Sequence, residues 1–168
     1  MDKVRQNMAD VERKLGKANA IADKGDGKMT VKEVIKLARK GKSINSTMNK
    51  GITNYSAAEP TEQEAREILN QMKNIFEMEE KQMNFAVQNK STFDKLHVAG
   101  MVKKNLLKSE ESAGTLSKVM VQKSPPSLKE EAEALDSRSR KSFATTIAMY
   151  ANAVGGEDQV PDKEDDSD

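Results

Sequence analysis

The stretch from Pro60 to Gln88 constrains this chain more than any other, because it joins a helix start signal to a sustained helical period. Thr61 and Glu64 form a Thr-x-x-Glu capping box, in which hydroxyl and carboxylate each accept from the other residue's backbone N–H. Behind it Ala65, Ile68, Leu69, Met72, Ile75 and Phe76 recur at spacings of three and four, which sets them on one helical face. The stripe breaks at Glu79 and Glu80 and resumes with Met83, Ala86 and Val87, and we read the whole as one long helix. A helix with a single apolar stripe draws most of its stability from packing, so the rest of the chain has to cover it.

The remaining segments read as further amphipathic helices. Val4, Met8, Val11, Leu15, Ala18 and Ala22 follow a heptad spacing, a narrow seam suited to pairing with another helix of the fold or of a partner chain. The span is short of the three to four heptads of a free-standing coiled coil, which favours packing within the fold. A second helix runs from Val31 to about Lys40, capped by Thr30 and Glu33, and Gly41 suits its C-terminal end. Ser43 to Glu59 reads as a long Ser/Asn/Thr-rich loop that exposes Tyr55. Ser91 and Asp94 start a helix to about Lys108, Leu116 to Met120 form a short one, and Ser127 with Glu130 caps a last helix. That helix turns Leu128, Leu135, Phe143, Ile147, Tyr150 and Val154 inward.

Length and composition agree with this reading. A chain of 168 residues, 36% of them hydrophobic, supports one modest core, and with 33% charged and 4% aromatic residues it favours helices over sheet. The expected fold is all-α: a single small domain of about five helices around a long central one, over residues 1–154. Residues 155–168, with one cation against seven acids, read as a disordered acidic tail. There is no cysteine, which removes disulfides, thiolate metal sites and cysteine nucleophiles. With neither a signal-like start nor a run of ~18 apolar residues, the protein is expected to be soluble and cytoplasmic, without membrane partners.

Two local patterns carry candidate sites. The net charge of +1 hides a basic start, with 13 cations against 6 acids in residues 1–50. Lys32, Lys36, Arg39, Lys40 and Lys42 form the densest cluster, a candidate surface for nucleic acid or an acidic partner through phosphate-type contacts. No aromatic residue interleaves them, so stacking on unpaired bases is poorly served. Nearby, Asp23, Gly25, Asp26, Gly27 and Glu33 resemble the calcium loop of an EF-hand, which implies a weak cation site at Asp23, Asp26 and Glu33. The resemblance spans about a dozen residues and is incomplete: with Gly27 at the turn position, the first and third ligand positions fall on Ala22 and Lys24. The competing reading is a Gly-rich turn between two helices.

Catalysis is the weakest reading. His97 is the sole histidine, and no nucleophile–base pair, metal cluster or phosphate-cradling glycine loop is present. No cofactor is implied. The sequence therefore points first to a non-catalytic helical interaction or assembly protein, of the phage or viral structural or accessory kind. It would work by self-association or partner capture through seams such as Val4, Met8, Val11 and Leu15. Nucleic-acid binding through the basic third is the alternative, and EF-hand-like calcium binding the third.

Overall fold

The structure is a computed structural model, and it describes residues 1–25 and 28–159. It is all-helical: α1 (Asp2–Gly25), α2 (Val31–Ser56), α3 (Glu62–Gln88), the short α4 (Lys90–Lys95), α5 (Ala99–Lys123) and α6 (Pro126–Met149). The capping boxes expected at Thr30 and at Thr61 form, whereas Ser91 and Ser127 cap no helix. Glu33 N–H donates to the Thr30 hydroxyl at 3.4 Å and Thr30 N–H to the Glu33 carboxylate at 2.8 Å, and Thr61 with Glu64 does the same at the start of α3. The central helix is as expected: α3 packs on α1, α4, α5 and α6 and buries the stripe from Ala65 to Ala86.

The long helices close a circuit. α1 packs on α2, α2 on α5, α5 on α6, α6 on α3, and α3 returns to α1. Polar links fasten its joints: Lys14 donates to the hydroxyls of Ser43 and Thr47 across α1 and α2. Arg5 bridges Glu64 and Glu67 across α1 and α3, and Arg138 meets Glu80 across α6 and α3. Tyr150, fully buried after α6, donates its hydroxyl to the Ala86 carbonyl of α3 at 2.5 Å.

Three segments depart from the sequence reading. First, α2 does not stop at Gly41 but runs to Ser56, so most of the expected loop is helix. Its polar residues face inward because the helix itself satisfies them, as when the Thr47 hydroxyl donates to the Ser43 carbonyl at 3.0 Å. Tyr55, expected on the surface, is fully buried. Second, the helix expected from Thr92 to Lys108 is broken at His97, whose φ of 56° is left-handed, and α5 then continues through the segment read as a separate short helix. Third, α6 begins at Pro126 with no side-chain cap, and Ser127 instead donates to Glu62 of α3 at 2.6 Å. Residues 155–159 do not lead away from the bundle. Met101 N–H donates to the Gly155 carbonyl at 3.0 Å, and Gly155 and Gly156 take positive φ values of 102° and 78° against His97 and Val98.

Candidate functional site

The circuit encloses a cavity of about 80 Å³ to which each of the six helices contributes. Its wall is mostly aliphatic, sulfur and aromatic, exemplified by Leu15, Val34, Met83, Phe93, Met101 and Phe143. Glu79 is its one ionisable side chain among the described residues. That residue is 7% exposed, and burial pushes its carboxyl up to about 8, so at neutral pH the acid is mostly protonated. It has no hydrogen-bond or ion-pair partner among the described residues, and the neighbouring Gln82 Nε2, one helical turn on, is buried without a partner too. The signal for Glu79 was present in the sequence, since it sits where the α3 stripe calls for an apolar residue.

An open groove of about 670 Å³ runs beside the cavity between α2 and α5. From α2 it is lined at helical spacing from Ala38 to Thr53, and from α5 by Met101, Lys104, Asn105 and Lys108. Ala38, Met101 and Asn105 line both spaces, so the groove and the cavity adjoin at these residues. At this join α2 presents Gly41, and a Cβ there would collide with the Asn105 amide. The glycine read as a helix terminator is thus a mid-helix recess that holds a side chain of α5.

The residues singled out in the sequence are placed elsewhere or only graze this site. The seam Val4, Met8, Val11 and Leu15 is buried inside the fold, between 0% and 2% exposed, with Leu15 reaching the cavity. Of the basic cluster, Lys32 and Lys36 are exposed, Arg39, Lys40 and Lys42 are half-buried, and Lys42 alone lines the groove. At the suspected cation loop Asp23 is exposed, the Glu33 carboxylate is taken by Thr30, and Asp26 and Gly27 lie outside the described residues. No group of acids or histidines among the described residues could hold a metal ion.

Fold and site define an all-helical bundle with an apolar interior and, adjoining it, an open groove. The family model of hydrophobic surface binding protein A matches residues 1–122, and the chain belongs to that family. Ligand binding domain 2 of the MP1 protein of Penicillium marneffei, in complex with arachidonic acids, is similar in fold: the TM-score is 0.81 at 16% identity, over 92% of this chain and 96% of that one. Ligand binding domain 1 of the same protein, complexed with arachidonic acids, gives a TM-score of 0.78 at 16% identity, over 88% and 96%. No curated protein matches.

These findings overturn the functions read from the sequence. The assembly-protein reading, with its phage or viral setting, gives way to the family, and physically because the seam of α1 is consumed by packing on α2 and α3. Nucleic-acid binding falls with it: Lys42 turns to the α5 groove instead of joining Lys32 and Lys36 in one exposed patch. Calcium binding falls because Glu33 serves as a helix cap. No helix among the described residues is long and apolar enough to cross a membrane.

Proposed function

We propose that this protein is a non-catalytic carrier that holds an apolar-chain molecule, of the fatty-acid type, within its helical bundle. The observation that carries the reading is the cavity to which all six helices contribute, apolar except for one protonated acid and a few amide and hydroxyl groups. Membership of a family described by binding to hydrophobic surfaces, and a fold shared with domains complexed with arachidonic acids, support it.

The cavity alone is smaller than the ~150 Å³ that admits a benzene ring, so a long chain has to widen it. The interior is made for such a change. Seven of the ten methionines are buried, and their unbranched thioether chains repack at low cost. Contact with a hydrophobic surface would use the same interior, because the exposed large apolar side chains among the described residues are only Leu107, Met149 and Val154.

The test is titration with oleate, followed by the fluorescence of a bound neutral reporter, N-phenyl-1-naphthylamine. Displacement by oleate is expected, and Ala86→Trp, which fills the cavity, should weaken reporter binding by tenfold or more while the circular dichroism stays helical. A wild-type protein that binds neither reporter nor oleate would refute the reading. If Ala86→Trp does not fold, native mass spectrometry of the wild-type protein with oleate decides the same point.

A further inference from the structure

We propose that the groove between α2 and α5 is the head-group station of this ligand site: it takes the anionic end of a free single-chain amphiphile whose hydrocarbon tail passes Asn105 into the cavity. The proposal rests on the lipid-binding reading above and adds the charge and the orientation of the ligand.

Charge comes first. Lys42, Lys50, Lys104 and Lys108 all line the groove, two from each helix, and no acid among the described residues lines it. Lys108 pairs with Glu111 at 3.0 Å and Lys104 reaches the Glu157 carbonyl at 3.5 Å, both outside the groove lining, so these two cations of α5 are held near the site on surface contacts weak enough to exchange. Asn45, in the same wall, is 8% exposed and its Oδ1 has no hydrogen-bond partner. Since an amide can present oxygen or nitrogen at that place, turning it supplies an N–H donor for a carboxylate or sulfate oxygen.

Orientation follows from the contrast with the cavity. Among the described residues no cation lines the interior and its one ionisable group is an acid, so a buried anionic head would be unpaired there and would face a carboxyl. The tail meets no such penalty. Its path is set by the residues that belong to both spaces: Ala38 and Met101 form the apolar part of their boundary, and Asn105 rests there in the recess of Gly41. The Asn105 side chain makes no hydrogen bond among the described residues, so it can swing aside without leaving a partner unsatisfied.

The experiment displaces N-phenyl-1-naphthylamine from the full-length protein with dodecanoate, dodecyl sulfate and dodecanol, each below its micelle concentration. Both anions are expected to bind about tenfold tighter than the alcohol of equal chain length, with a preference that shrinks as salt is raised. The fourfold variant Lys42→Gln, Lys50→Gln, Lys104→Gln and Lys108→Gln should abolish the preference and leave reporter and dodecanol affinity unchanged. Equal affinity for anions and alcohol in the wild-type protein, or a preference that survives in the fourfold variant, would overturn the head-group assignment while reporter binding upheld the lipid reading. Absence of reporter binding would sink both. If phosphatidylglycerol vesicles bind the protein through these lysines and dodecanoate shows no preference over dodecanol, the rim serves a lipid surface and the proposal is likewise overturned.

Discussion

Glu79 shows how one residue can be set against its surroundings. Folding raises its pKa from 4.5 to about 8 through burial, so the native state holds the proton more tightly than the unfolded chain. The stability intact below about pH 4.5 therefore declines as pH rises, and the loss is complete above about 8. Glu79→Gln should flatten the melting temperature across that window, and a pH profile matching the wild type would contradict the assignment. The two tyrosines make a second contrast. Tyr55 is buried with its hydroxyl unpartnered and its phenol pushed up to about 12, whereas the Tyr150 hydroxyl reaches Ala86. In urea denaturation Tyr55→Phe should be neutral or stabilising, and Tyr150→Phe should cost about 1 kcal/mol.

Among the elements, the helix starts at Thr30 and Thr61 were legible in the sequence, and those read at Ser91 and Ser127 misled, since neither serine caps a helix. The boxes at Thr30 and Thr61 announce themselves by residue type and spacing, and Thr61→Ala should lower stability by about 1 kcal/mol in the same assay. Helix ends were not. Gly41 carries the local signature of a C-terminal cap, yet its missing Cβ answers to Asn105, a residue 64 positions away that no local rule can see. The α2 continuation was hidden for the same reason, since Ser43, Asn45 and Thr47 look like loop residues until the faces of α1 and α5 are laid against them. The cavity was equally out of reach, except for the acid misplaced in the α3 stripe. Gly100 poses the same non-local demand, because a Cβ there would lie 2.7 Å from the Gly155 backbone nitrogen. Gly100→Ala should displace residues 155–159, lower stability by about 1–3 kcal/mol and speed proteolysis near Gly156.

At the scale of the molecule, the expected all-helical domain around a long central helix is what forms, while its purpose was misread because heptad seams and lysine clusters look alike whether they meet a partner or a neighbour in the fold. A methionine-rich interior predicts tolerance: saturated fatty acids of twelve to eighteen carbons should bind within about tenfold of one another, and a sharp length cut-off in reporter displacement would speak for a rigid pocket. Saturating ligand at about a hundred times its Kd should stabilise the fold by about 2.7 kcal/mol, visible as a higher melting temperature. The chain has no cysteine, and where the backbone does not itself join two helices the ring is closed by packing and hydrogen bonds alone. Such a vessel is hooped without rivets: under the proposed carrier role a single stave joint would gape to admit cargo while the others stay shut, and the load would decide how much room there is.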